Sequence, residues 1–170
     1  MKFKLVYLNI LFLFINYHVK AQIDTISISQ NILYFEVGGI AGFWSLNYEK
    51  IILNKENFKI SGRIGISTYN IKDYTDSFNP DIIIPIAING LYGKTHKIEI
   101  GIGQTISNIV QSKHSSSLPY RNTKLHANFT IGYRYQKNNG GIIYRFGYMP
   151  IIEFNKSYRN WLGTSFGFAF

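Results

Sequence analysis

The sequence predicts an all-β fold, an eight-stranded antiparallel up-and-down transmembrane β-barrel preceded by a cleavable signal peptide. Three observations carry this. Eight segments alternate apolar residues with polar or small ones at a period of two, the spacing of a strand whose two faces meet different surroundings. The connections between them alternate between short turns and longer polar loops, as in a barrel that spans a membrane. The final segment sets Leu162, Thr164, Phe166, Phe168 and Phe170 on one face against Trp161, Gly163, Ser165, Gly167 and Ala169 on the other. Three phenylalanines on alternate positions suit a strand facing hydrocarbon, and the small opposite face suits a narrow interior.

The chain begins with Lys2 and Lys4, continues with an apolar run over residues 5–15 broken only by Asn9, and then reads Val19-Lys20-Ala21. A basic start, a short apolar stretch and a small residue before the cut describe an export signal cleaved after Ala21. The run is too short for a spanning helix, which needs about 20 apolar residues. The expected division is therefore a signal peptide over residues 1–21 and one barrel domain over 22–170. Cysteine is absent, which excludes a disulfide framework and a lipid anchor through Cys. The net charge of +9 invites a nucleic-acid reading. The basic residues are scattered singly, with no basic run or helix face, so no nucleic-acid partner is expected. A mean hydropathy near zero does not argue against a membrane barrel, whose strands hide their hydrophobicity in alternation.

Residues 22–30 alternate weakly and form a lead-in. The first strand, 31–38, sets Leu33, Phe35 and Val37 against Tyr34 and Glu36; the second, 43–52, sets Trp44, Leu46 and Tyr48 against Ser45, Asn47 and Glu49. In the third, 58–69, Phe58, Ile60, Ile64 and Ile66 oppose Lys59, Ser61, Arg63 and Ser67. The fourth is 82–91. The fifth, 97–109, sets Ile98, Ile100 and Ile102 against Lys97, Glu99, Gly101 and Gly103. The sixth, 124–136, is the cleanest: Leu125, Ala127, Phe129, Ile131, Tyr133 and Tyr135 on one face, Lys124, His126, Asn128, Thr130, Gly132, Arg134 and Gln136 on the other. The seventh, 141–149, sets Ile142, Tyr144, Phe146 and Tyr148 against Gly141, Arg145 and Gly147, and the eighth is 161–170.

Polarity decides the environment. A soluble barrel turns its apolar face inward, a membrane barrel turns it outward. Here the polar faces are rich in Gly and Ser, which suits a crowded lumen, and aromatics gather near strand ends, as in an interfacial belt. The connections 53–57, 92–96 and 137–140 are tight on one side; 70–81, 110–123 and 150–160 are long on the other, where only 39–42 is small. This places Tyr48, Tyr133, Tyr135, Phe168 and Phe170 near one boundary and Trp44, Tyr69, Tyr120, Tyr148 and Trp161 near the other. Lys50 has lipid-face parity at a strand end, where its ammonium can snorkel out. Pro85 lacks an N–H for the ladder, so a bulge or local break is expected there.

With these features the chain resembles the small bacterial outer-membrane β-barrel proteins of the OmpA and OmpX size class. The resemblance rests on the signal peptide, the alternating segments over 31–170, the turn and loop asymmetry, and the terminal Gly163-Thr-Ser-Phe-Gly-Phe-Ala-Phe170. It implies residence in the outer membrane with periplasmic termini. It also implies contact with outer-membrane lipid, and reading of Phe166, Phe168 and Phe170 by the barrel assembly machinery. It implies little about activity, because this fold hosts several.

Among the charged residues of inward parity are Glu36, Glu49, Arg63, Lys97, Glu99, Arg134 and Arg145. A charge facing lipid at mid-depth costs roughly 2–4 kcal/mol, so these are expected to pair across the lumen as a structural plug. The leading reading is a non-enzymatic barrel with a plugged lumen and surface-exposed loops for structural or interaction roles. It has no catalytic, cofactor-binding or metal-ligating residues and no cofactor. Alternatives are a small pore, a soluble barrel of opposite polarity, or an outer-membrane lipid-modifying enzyme of acyltransferase or deacylase type. The enzyme reading would draw on Ser77, His114 and Ser115 in the long loops. His126 is followed two residues on by Asn128, so the His-x-Ser pairing of lipid A deacylases is not matched.

Overall fold

The computed structural model describes residues 29–111, 118–153 and 158–170. The proposed signal peptide, His114 and Ser115 lie outside these residues. The alternating segments form β1 (Asn31–Gly38), β2 (Trp44–Lys55), β3 (Phe58–Ile66), β4 (Ile82–Tyr92), β5 (His96–Gln111), β6 (Tyr120–Gln136) and β7 (Gly141–Tyr148). Two short strands follow, β8 (Ile151–Glu153) and β9 (Tyr158–Arg159), and then β10 (Leu162–Ala169). Each of β1 to β6 pairs antiparallel with its successor, β7 pairs with β10, and β10 pairs with β1. The ring of eight is thereby closed, and among the described residues no long edge is left unpaired.

The polarity is that of a membrane barrel. Phe146 and Phe166 are 49% and 62% exposed on the outer surface, whereas Arg134 and Arg145 are 0% and 1% exposed within. Small residues make the closure possible. A Cβ at Gly167 would lie 2.4 Å from Tyr34 Cβ, so glycine there lets β10 approach β1 while Tyr34 fills the lumen.

Prolines mark the breaks. Pro85 pairs with Thr105 on the β5 side, but on the β3 side the ladder lapses between Ile64↔Ile86 and an isolated bridge Ser67↔Ile83. Ile83 exchanges both of its backbone bonds with Ser67, so Pro85, two residues on, aims its absent N–H the same way. The result is a local break without a change of register. The barrel's register shift lies elsewhere, at Ile52 between β2 and β3.

Three connections differ from expectation. The stretch 110–123 is not all loop, because β5 and β6 stay paired out to Gln111↔Tyr120, so residues 110–111 and 120–123 are strand. The 39–42 hairpin is not a surface loop. Its single 3-10 turn (Gly39–Ala41) folds into the mouth of the barrel, where Ile40 packs with Ala87 and Met149. Thr105 Oγ1 donates to the Ile40 carbonyl at 2.7 Å and fixes it there. Gly38 and Gly39, at φ 72° and 80°, allow this inward fold, which a side chain would resist. The 150–160 stretch is not simply a loop. β8 pairs with β6 (Asn128↔Ile151, His126↔Glu153) in the register that β7 sets with Ile131↔Tyr148. β9 likewise continues the register of β10. Pro150 removes a rung but does not end the hairpin, so strand parity carries through to Glu153 and Arg159.

Candidate functional site: the charged lumen

Six charged side chains on six strands meet inside the ring. Glu36 on β1 accepts two bonds from Arg63 on β3, at 2.8 and 3.2 Å, and lies 3.5 Å from Arg145 on β7. Arg145 donates through Nε and Nη2 to Glu99 on β5 at 3.0 and 2.5 Å. Glu99 also takes Nε and Nη2 of Arg134 on β6, both at 3.0 Å. Arg134 then reaches Glu49 on β2 at 2.8 and 2.9 Å. The order Arg63–Glu36–Arg145–Glu99–Arg134–Glu49 alternates in sign, sums to zero charge and crosses the lumen.

Hydroxyl groups complete the layer. Ser61 donates to Glu49 at 2.5 Å and Ser165 to Glu36 at 3.1 Å. Tyr34 lies under the guanidinium groups of Arg145 and Arg63, 4.7 and 5.7 Å from its ring centre, a cation–π arrangement in a desolvated setting. Planar arginines suit this task, because a fixed fork of donors lets Arg134 and Arg145 each bridge two carboxylates. The side chains in this layer are fully or almost fully buried.

Of the inward charges named from the sequence, Lys97 stands apart. It donates to the Gln136 carbonyl at the end of the barrel that carries the termini and joins no carboxylate. Tyr34, Ser61 and Ser165 join the cluster without being charged. Their inward parity was visible, but which charge each would meet depends on cross-strand register. Phe166, Phe168 and Phe170 face outward and are exposed. Ser77 lies in the 70–81 loop beside Thr75, at 3.1 Å. That loop is tied down by Asp81, which accepts from the Asn70 and Val110 backbones. Asp73 in the same loop is held below the ordinary aspartate range by the Thr75 hydroxyl, with further help from Asn79. Among the described residues no group of His, Cys, Asp and Glu is arranged to hold a metal ion.

Above the charged layer, at the end away from the termini, a cavity of about 270 Å³ is walled by Phe43, Tyr69 and Trp161 and by polar groups from β5, β6, β8 and β9. The Trp161 indole donates to the Gly42 carbonyl at 3.1 Å and holds one wall in place.

No protein-family model and no curated protein matches the chain. Among solved structures, the N-terminal β-barrel domain of Pseudomonas aeruginosa OprF is similar to it, at 12% identity and a TM-score of 0.57 over 83% of this chain and 96% of that one. The fold is that of an outer-membrane β-barrel domain. At this identity the likeness extends to architecture, and the lumen chemistry is read from this chain's own residues.

Proposed function

We propose that the chain is an integral outer-membrane protein with periplasmic termini, whose lumen is closed by its own side chains and whose role is exercised from the outward-facing end. The observation that carries this reading is the alternating six-residue ion chain. Its carboxylates are occupied by arginine and serine donors, so none is free to work as a base or to pass an ion. Eight strands enclose little more than side chains, and the lumen layer fills that space. The outward apolar faces contact outer-membrane lipid. The C-terminal strand, with Phe166, Phe168 and Phe170, is the element offered to the barrel assembly machinery. The 70–81 loop and the connection between β5 and β6 present the surface for structural or interaction roles.

Reconstitution into planar bilayers tests closure: the expected result is no steady conductance, and a reproducible open level in the unmodified protein refutes the plug. Location is tested by extraction and by protease added to intact cells. Release by carbonate without detergent, or a β5–β6 connection cleaved only after the outer membrane is breached, overturns the proposed placement.

A further inference from the structure

The cavity above the plug holds a constellation that the sequence did not bring together. His126 on β6 lies with Nε2 3.0 Å from Ser107 Oγ on β5. Its Nδ1 lies 3.8 Å from Glu153 Oε1 on β8 and is buried without a hydrogen-bond partner. All three residues have inward parity and line the same cavity. Ser107 sits diagonally from His126, whose direct partner on β5 is Thr105, and Glu153 is in register opposite His126 on the other side. A hydroxyl, an imidazole and a carboxylate in this order are what nucleophilic acyl transfer requires: a nucleophile, the base that takes its proton, and an acid that orients the base. The serine that His126 lacks along its own strand is supplied by the neighbouring one.

We infer that Ser107, His126 and Glu153 form an esterase site that acts on the carboxylic ester of an anionic amphiphile. Ser107 Oγ attacks the ester carbonyl carbon while its proton passes to His126 Nε2. The bond to the alcohol oxygen breaks, and that oxygen leaves with the proton. Water then attacks the acyl-serine, gives a proton to His126, and the acid departs as Ser107 recovers its hydrogen. Glu153 is a positioning residue that holds Nδ1–H toward itself. Its 3.8 Å separation is an ion-pair distance that has to tighten for a hydrogen bond, as catalytic contacts commonly do once substrate is bound. The substrate class follows from the walls. Phe43, Ile109 and Trp161 offer an apolar surface to a chain, and Lys124 and Arg159 offer positive charge to an acidic head group. The ring of tryptophan and tyrosine at this end is the level at which an interface places such heads. The inference goes beyond the closed-barrel reading and departs from the non-enzymatic expectation drawn from sequence.

The test uses the full chain folded in detergent micelles, with heat-shifted gel migration confirming that each variant is folded. A fluorophosphonate probe is expected to give one covalent adduct, mapped by mass spectrometry to Ser107, and p-nitrophenyl butyrate or palmitate to be hydrolysed. Ser107→Ala is expected to abolish both, and His126→Gln to lower turnover by about 10²-fold or more, the range for losing a general base. Glu153→Gln is expected to lower kcat with KM held, the split of an orienting group. Should Ser107→Ala fail to fold, Ser107→Cys replaces it, with iodoacetamide expected to alkylate that thiol faster than in the Ser107→Cys, His126→Gln double variant. Folded protein that neither takes the probe nor cleaves either ester overturns the proposal, as does an adduct that persists in Ser107→Ala or equal alkylation of the two cysteine variants. The conductance experiment is independent, so an inert Ser107 leaves the closed barrel standing.

Discussion

Replacing Glu99 with glutamine keeps the shape of the side chain and removes its charge at the centre of the lumen network. Glu99 accepts four bonds, two from Arg134 and two from Arg145. In Glu99→Gln, Arg134 retains its bidentate pair with Glu49, but Arg145 keeps only the 3.5 Å contact with Glu36. A buried guanidinium that has lost its carboxylate costs about 3–5 kcal/mol, or roughly a hundred- to several-thousand-fold in the folding equilibrium. Glu36→Gln should cost as much, because Glu36 is the carboxylate that holds Arg63. Glu49→Gln should cost distinctly less, because Arg134 still holds Glu99 through two bonds. The assay is urea unfolding of the reconstituted barrel, followed by tryptophan fluorescence and heat-shifted migration. Three variants that unfold with the wild-type midpoint would refute the claim that this chain of charges closes and supports the barrel. Equal losses in Glu49→Gln and Glu99→Gln would refute the stated order of dependence.

Ile102, 67% exposed on the outer face of β5, should tolerate valine, whereas Ile102→Lys should cost about 2–4 kcal/mol in lipid vesicles if it lies at mid-depth; equal stability of the two variants would place this face in water. Pro85→Ala restores an N–H aimed at β3, a net gain of about 0.5–1.5 kcal/mol, and loosens the unfolded chain by about 0.4–1 kcal/mol. The two effects oppose, so the unfolding midpoint should hardly move while the new amide becomes protected from hydrogen exchange; rapid exchange there would show that Pro85 does not cause the break. Asp73 has its folded value depressed by Thr75, so its contribution to the 70–81 loop is complete above the ordinary carboxylate value and fades as pH falls through the depressed one. Cleavage of this loop by an acid protease should therefore rise, relative to Asp73→Asn, as pH falls below the ordinary carboxylate value, and parallel profiles would dismiss the effect.

The parts legible in sequence are those set by local periodicity. A strand turns alternate side chains to opposite faces, so reading Phe129, Ile131 and Tyr133 against Thr130, Gly132 and Arg134 gave both the strand and its polarity. The same rule placed Glu36, Glu49, Arg63, Glu99, Arg134 and Arg145 inside. It also placed Lys97 inside, but parity says nothing of height along the barrel, and Lys97 lies at the terminus end on a backbone carbonyl. Pro85 announced a break because proline lacks the donor that every ladder rung needs. The 150–160 stretch read as loop because its alternation is interrupted, although the register resumes beyond Pro150 and carries Glu153 to His126.

By itself the sequence determined how many strands close the ring, which face of each turns outward, and which charges must be hidden, because these follow from backbone geometry and the cost of desolvation. Tertiary structure decided which hidden groups touch. Ser107 reaches His126, Tyr34 lies under two arginines, and Ile40 folds back over the mouth through cross-strand registers and one turn's backbone angles. Those quantities link residues far apart in the chain and are fixed only when the ring closes.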